Sequence, residues 1–449
     1  MKTVAFYTLG CKVNQYETQA LEELFLRSGY RVVGFNSPAN VYVINTCTVT
    51  HHGDSKSRQI IRRAKRTNPR AVVVVMGCYV QVSPDEVLAV QGVDIVIGSA
   101  DKSRVVELVE RAGEGKQPVK MVRDLGMEEE FEELALERKH SDRTRAYVKI
   151  QDGCGQFCTY CIIPYARGPV RSRHPDKVAD QVEKLAALGY REVILTGIHV
   201  TSYGRDLKTG ATLLELIKRV HETKGLDRIR LSSLEPTYFT EQITEEVSRL
   251  NKVCRHFHLS LQSGCDATLK RMGRRYTTAE YRKVVKRLRE RMPGVAITTD
   301  VMVGFPGETD DEFEDTYRFL EQLELSNMHV FKFSPRKGTP AAEYKDQVNA
   351  KTKDIRSRVL LDLAAVLRKN FHDRFLGKSL EVLYQQKSSQ PEGYYEGLTG
   401  NYIRVLVPTR EDLNNRLAET RLVKTGRDFM IGEIVKFLCS GRNCRAAVE

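Results

Sequence analysis

Cys154-Gly155-Gln156-Phe157-Cys158-Thr159-Tyr160-Cys161 places three cysteines within eight residues, on a turn that also holds Gly153. A closed structural zinc site takes four Cys or His ligands. A cubane iron–sulfur cluster can sit on three thiolates and keep one iron open to a small cofactor. The C-x3-C-x2-C spacing predicts the second. A zinc site completed by His174 or by a distant cysteine is the alternative.

Outward toward the C-terminus, the stretch sits at the end of the first strand of a regular strand–helix series. Residues 147–150, 192–195, 229–232, 257–260, 296–299 and 329–332 read as strands, with helical patterns between them at 175–188, 212–222, 278–291 and 311–323. Six such units are too few to close an eight-fold barrel and predict an open, partial (β/α)6 barrel over 146–375. Chemistry in such folds belongs at the carboxyl ends of the strands. Those ends carry Thr196-Gly197, Glu235, Leu261-Gln262 and the stretch from Asp300 through Val303 to Glu308. As a set they describe a cofactor pocket on one rim, with the last stretch expected to cradle an aromatic ring system.

Toward the N-terminus, residues 4–7, 41–44, 72–75 and 94–97 read as buried parallel strands, with helices at 15–28 and 57–67. This predicts a doubly wound parallel α/β domain over 1–125. The first strand ends at Leu9-Gly10-Cys11, the second at Asn45-Thr46-Cys47 and the third at Met76-Gly77-Cys78. A free cysteine is often just a small buried hydrophobe. Three of them, each at a strand end and beside Gly or Thr, predict a second three-thiolate iron–sulfur site on one sheet edge. Residues 126–145, with Glu128-Glu129-Glu130, read as a linker or a solvated helix. A long basic helix over 348–375 ends before Gly377, and strands at 379–384, 393–398, 402–407 and 434–437 make a small all-β module within 376–449.

At 449 residues the chain has room for two to four domains, and no apolar run approaches the roughly 20 residues of a membrane span. Leu9-Gly10-Cys11 mimics a lipoprotein cleavage site, but the apolar stretch before it is too short for a signal peptide. A cytoplasmic protein without membrane or DNA partners is expected. Its ten cysteines then point to metal or catalysis before disulfides. The 71 Lys+Arg against 58 Asp+Glu leave a net charge of +13, gathered at 56–66, 167–173, 270–275 and 282–291, which suits a polyanion. His51-His52 read as a solvated loop and His256 and His258 as barrel packing. Cys254, Cys265, Cys439 and Cys444 read as free thiols.

With these residues in hand, the chain resembles the radical S-adenosylmethionine (SAM) methylthiotransferases almost end to end. The signature of that family is matched by Cys154 through Cys161 and onward by Ile162-Ile163-Pro164-Tyr165-Ala166-Arg167-Gly168. The opening Thr8-Leu9-Gly10-Cys11-Lys12-Val13-Asn14-Gln15 is similar to the branch acting on N6-threonylcarbamoyladenosine at position 37 of tRNA. One departure is Leu259-Ser260-Leu261-Gln262, where several relatives carry a proline. The resemblance implies two [4Fe-4S] clusters, an auxiliary one on Cys11, Cys47 and Cys78 and one for SAM on Cys154, Cys158 and Cys161. SAM would be held by Tyr160, Thr196, Gly197, Glu235, Gln262, Asp300 and Val303. A C-terminal TRAM-like RNA-binding barrel and the positive clusters would hold the tRNA anticodon stem–loop. An electron donor such as a flavodoxin or ferredoxin is also implied. Two other readings stay open: the same chemistry on a ribosomal-protein aspartate, and a non-catalytic iron–sulfur RNA-binding redox sensor.

Overall fold

The computed structural model describes residues 1–112, 118–126, 130–134, 136, 138 and 144–438. Strands β1 (Thr3–Thr8), β2 (Arg31–Val32), β3 (Val41–Thr46), β4 (Val72–Gly77), β5 (Ile95–Ile97) and β6 (Val119–Met121) form a parallel sheet in the order β2-β1-β3-β4-β5-β6. Successive side chains alternate between its faces. Val4, Val41, Val43 and Val74 pack with Leu21 and Phe25, whereas Ala5, Tyr42, Ile44 and Val73 pack with Ile60, Ile61 and Ala64. Both faces are therefore covered by helices, which is why these strands read as unbroken apolar runs. The strand order reverses between β1 and β3, the place where open α/β sheets collect ligands. Cys11 follows β1, Cys47 follows β3 and Cys78 follows β4.

The central strands begin with β7 (Arg145–Lys149). The short antiparallel pair β8 (Gln151–Asp152) and β9 (Arg171–Ser172) then brackets the three-cysteine loop. β10 (Glu192–Thr196), β11 (Arg228–Leu231), β12 (His256–His258), β13 (Ala296–Val303) and β14 (Asn327–Lys332) follow with helices between them. The sets β7-β10-β11 and β12-β13-β14 are parallel throughout, and single bridges at Ile229–Val253 and Leu234–Leu259 join them. Among the described residues no ladder joins β14 back to β7, so the barrel is open. The helix Lys12–Arg27 packs along β7, bringing the N-terminal sheet to that opening.

The helix Ala350–Asp373 starts at Asn349, whose side chain accepts from the Thr352 amide, and the chain turns at Gly377 with φ +75°. β15 (Ser379–Lys387), β16 (Tyr394–Thr399), β17 (Arg404–Pro408), β18 (Leu417–Thr425) and β19 (Met430–Phe437) then close a small barrel. Four of these strands are legible in the sequence and β18 is not. Register shifts at Glu419/Thr420 and Leu422/Lys424 break its alternation of apolar and polar residues. This barrel caps the amino-terminal end of the open one. Arg228 donates to the Leu398 carbonyl and to Glu381, Asn401 donates to the Gly294 carbonyl, and Tyr402 stacks on His256 with ring centroids 4.3 Å apart.

Two expectations are corrected here. The described part of 126–145 is not a solvated helix, and as the connection between sheet and barrel it is packed down. Leu134 and Leu136 are buried against Tyr16 and Ala20, and Glu133 pairs with Arg173 at 2.7 Å. His51 and His52 are exposed, but they open the helix His51–Thr67, which Thr50 caps by accepting from the Gly53 amide. Cys439 and Cys444 lie outside the described residues.

Candidate active site

Gly10 and Gly77 fix how the first trio of cysteines is presented. Gly10 has φ +102°, and a Cβ there would stand 2.8 Å from the Cys47 Cβ. Gly77 has φ +97°, and its Cβ would stand 2.6 Å from Asn45 Oδ1. Only glycine fits both the left-handed backbone and the close approach, so two of the three strand-end cysteines follow a glycine. The Asn14 side chain ties the edge together, donating to the carbonyls of Leu9 at 2.8 Å and Thr46 at 3.0 Å.

All six cysteines line one cavity of about 1030 Å³ between the N-terminal sheet and the open barrel. Within each trio the thiols sense one another electrostatically: Cys11 with Cys78, Cys47 with both, and Cys161 with Cys154 and Cys158. Burial raises the thiol pKa values, to about 12 for Cys47 and Cys161 and about 11 for Cys154. Bare thiols in this setting hold their protons at neutral pH, and a bound metal must displace them.

One arginine stands at each trio. Arg274 donates to Cys158 Sγ at 3.2 Å and holds Glu235 with bonds of 2.6 and 2.8 Å. Arg167, fully buried, donates to Cys78 Sγ at 3.1 Å, to Asn14 Oδ1 at 2.6 Å and to Glu17 Oε1 at 2.6 Å. Asp152 and Lys149 complete the cluster: Lys149 is 2.5 Å from Asp152 and 3.0 Å from Glu17, and Lys102 is 3.3 Å from Glu17. Burial alone would raise the Glu17 carboxyl, but Arg167, Lys102 and Lys149 hold it well below the usual range. Four cations (Arg167, Lys102, Lys149 and Arg171) thus face two carboxylates (Glu17, Asp152), leaving positive charge beside Cys78. Two sets of three thiols, each with a cation against one sulfur, fit two anionic iron–sulfur clusters of three protein ligands.

Arg167 shows how the basic clusters must be re-read. The sequence marks 167–173 and 270–275 as surfaces for a polyanion. In the fold Arg167, Arg171 and Arg173 are buried, Arg274 faces the cavity and Arg271 pairs with Glu312 at 2.5 Å. Lys270 and Arg275 stay exposed, as do Arg62, Arg63 and Arg66 on the helix His51–Thr67 and Arg282, Lys283 and Lys286 on the helix Thr278–Arg291.

Of the residues expected at the SAM pocket, Tyr160, Thr196, Gly197, Glu235, Gln262 and Asp300 line the cavity. Gln262 does so with φ +71°, a strained conformation for a non-glycine residue and one that clusters at functional sites. Val303 does not line it; the side chain belongs to the barrel core. The stretch beyond it is also corrected. Phe305 is buried behind Tyr160, and Glu308 is tied to Arg356 at 2.7 Å and to the Gly304 amide. His174 caps the helix Pro175–Ala187 and does not line the cavity, which removes the ligand suggested for a zinc site.

The sequence reading missed His199, Arg167 and Glu17. His199 follows the Thr196-Gly197 strand end and stands 3.8 Å from Glu235. Glu17 was findable as a carboxylate on the same helix face as Leu21, which the core buries. His256 and His258 do more than pack. Both line the cavity, and His258 Nε2 is 3.3 Å from Asp300 Oδ2 with His329 alongside.

A family model described as the Radical SAM superfamily matches residues 148–320, and one described as the uncharacterized protein family UPF0004 matches residues 3–98. The chain is 43% identical over 441 residues to the "Threonylcarbamoyladenosine tRNA methylthiotransferase MtaB" of Bacillus subtilis, covering 97% of each chain. The chain belongs to the radical-SAM methylthiotransferase family. A second member, of the same name from Thermotoga maritima, is 36% identical over 94% of each chain. The Moorella thermoacetica "tRNA-2-methylthio-N(6)-dimethylallyladenosine synthase" is 34% identical over 97% of this chain and 98% of its own. Among solved structures, the radical SAM methyltransferase TsrM of Kitasatospora setae, with cobalamin and a [4Fe-4S] cluster bound, superposes with a TM-score of 0.58. It covers 76% of this chain and 77% of its own at 18% identity, a likeness of fold. Family membership brings SAM and two [4Fe-4S] clusters as cofactors. Among the described residues no helix is long and apolar enough to cross a membrane.

Proposed function

We propose that this chain is a tRNA methylthiotransferase that converts N6-threonylcarbamoyladenosine at position 37 to its 2-methylthio derivative. The observation that carries the reading is the shared cavity: a loop of the open barrel and three strand ends of a separate sheet turn all six cysteines toward one space. A carbon that must both lose hydrogen and gain sulfur needs both chemistries within reach of one bound base. The clusters and SAM would supply one-electron chemistry able to break the inert C2–H bond and deliver sulfur there.

The chain's own residues bind and orient. Cys154, Cys158 and Cys161 hold the SAM cluster, and Cys11, Cys47 and Cys78 hold the auxiliary one. Arg274 and Arg167 offset the charge of each. Tyr160, Thr196, Gly197, Glu235, Gln262 and Asp300 form the wall against which SAM would lie. The exposed arginines and lysines of the helices His51–Thr67 and Thr278–Arg291, with the barrel within 376–449, would take the phosphates of the anticodon stem–loop. In this division residues 1–125 handle sulfur, 146–375 handle SAM and 376–449 hold RNA, with a flavodoxin or ferredoxin as electron source. The higher identity to relatives named for threonylcarbamoyladenosine favours that substrate over the dimethylallyl one.

The test is mass spectrometry of nucleosides from bulk tRNA of a deletion strain beside its parent. Loss of 2-methylthio-N6-threonylcarbamoyladenosine, with the unthiolated nucleoside accumulating, is expected. Loss of the dimethylallyl product instead would move the enzyme to the other branch. An unchanged profile that complementation also leaves unchanged would refute a tRNA substrate.

A further inference from the structure

Five cations line the cavity, Lys12, Arg145, Arg274, Arg368 and Arg404, and Lys12 is the one joined directly to Cys11. Lys12 follows Cys11 directly and is the first residue of the helix Lys12–Arg27, yet its side chain lines the cavity. Its titratable neighbours are Tyr402 of the small barrel and, from the open one, Arg230 on β11, Arg145 on β7 and Asp300 on β13. None of them neutralises it. Arg145 and Arg230 are like charges and share Glu192, at 3.8 and 2.8 Å, while Asp300 is engaged by His258 at 3.3 Å. Among the described residues no carboxylate lies within ion-pair distance of the Lys12 ammonium. Arg274 is bound by Glu235, and Arg404 by Glu396 and Asp428; Arg368, on the helix Ala350–Asp373 beside His372, also lacks a carboxylate partner among the described residues but stands away from Cys11 in the sequence. A half-buried ammonium facing a cavity without a counter-ion is unfavourable in the free protein and becomes favourable when an anion arrives.

We propose that Lys12 reads the carboxylate of the amino-acid group on adenine N6, and so selects threonylcarbamoyladenosine over an adenosine with a neutral substituent. The inference rests on the substrate reading above and names the residue that enforces it. Ring chemistry puts the residue in the right place. C2, where sulfur is added, and C6, which bears N6, flank the same ring nitrogen. A group that reads the N6 substituent must therefore stand beside the group that delivers sulfur to C2. Lys12 is joined to Cys11 by one peptide bond and extends away from it into the barrel. A prenyl substituent would leave the ammonium desolvated and unpaired, which is how a polar site rejects an analogue that lacks its partner.

The anion has two other sources, a phosphate of the RNA backbone and the carboxylate of SAM, and the experiment separates them. Equilibrium binding would be measured for the cluster-loaded wild type, Lys12→Met and Lys12→Arg. The RNAs are two anticodon stem–loops of one sequence, one with threonylcarbamoyladenosine and one with plain adenosine at position 37. SAM binding is measured beside them. The wild type is expected to prefer the modified stem–loop by about tenfold or more. Lys12→Met should bring the two affinities together by weakening the modified stem–loop alone, and Lys12→Arg should restore part of the preference. The plain stem–loop serves as the folding control inside each variant. Equal weakening on both RNAs would overturn the proposal in favour of a phosphate contact, and weakened SAM binding with unchanged RNA preference would overturn it in favour of the cofactor. A wild type that prefers the modified stem–loop while Lys12→Met keeps that preference would sink Lys12 and leave the substrate reading standing. A wild type with no preference would sink both.

Discussion

The two cysteine trios differ in how the chain builds them. Cys154, Cys158 and Cys161 lie in one loop held between β8 and β9, so eight residues and one hairpin-like clamp suffice. Cys11, Cys47 and Cys78 come from three strands, and their meeting requires the whole parallel sheet, its reversal of strand order and two glycines that let the strand ends crowd together. The two arginines repeat the contrast. Arg274, in the turn between two helices, reaches a sulfur of its own barrel's loop, whereas Arg167 leaves the barrel loop and reaches a sulfur of the other sheet. A local site can be assembled before the fold is complete; a dispersed one exists only once the fold is.

The sharpest way to break the comparison is to remove one thiol from each trio. Cys158→Ala should abolish SAM cleavage altogether. Cys47→Ala should keep SAM cleavage and lose only sulfur insertion, read by chromatography of the cleaved cofactor beside mass spectrometry of the RNA. If both variants lost cleavage equally, the two trios would not be separate sites.

Arg167→Ala comes next. It leaves Glu17 and Asp152 facing each other with fewer cations, and breaking such a buried network costs about 3–5 kcal/mol. Thermal melting should report that loss. Iron content should fall toward about half, since only the dispersed trio loses its cation. Arg167→Lys should recover part of the stability, but not the contact to Cys78, because an ammonium lacks the guanidinium fork. Iron lost equally from both sites would mean that Arg167 supports the fold alone.

The smallest effect is a pH dependence. Burial raises Cys47 and Cys161 to about 12 and Cys154 to about 11, above the ordinary value of 9.0. Between pH 9 and those values the native chain keeps protons that the unfolded chain has released. Stability of the metal-free protein is therefore fully present below about pH 9 and falls as pH rises above it. The loaded protein, whose thiols have already lost their protons to metal, should show a flatter profile over pH 8.5–10 in melting experiments. Parallel profiles would contradict metal binding at these thiols.

Legibility followed the same division. Four strands of the N-terminal sheet and the six of the open barrel could be read from the sequence, and the six cysteines stand out by spacing or by position at strand ends; Arg31–Val32 and Val119–Met121 are too short to leave a pattern. The strand Leu417–Thr425 escaped because bulges erase its alternation. The burial of Leu134 and Leu136 escaped because the two stand isolated among acids. Arg167, Arg173 and Arg274 read as an RNA surface because charge in a sequence carries no sign of which way it faces.

What the sequence determined by itself was the set of elements and the chemistry of their ends, because period and spacing act over a few residues. Only the tertiary structure decided that six thiols share one cavity, that the positive charge at 167–173 turns inward to Glu17 and Cys78, and that Tyr402 closes the barrel base against His256. Those contacts join residues tens to hundreds of positions apart. Electrostatics and packing at such separations follow from how layers stack, which no local pattern records.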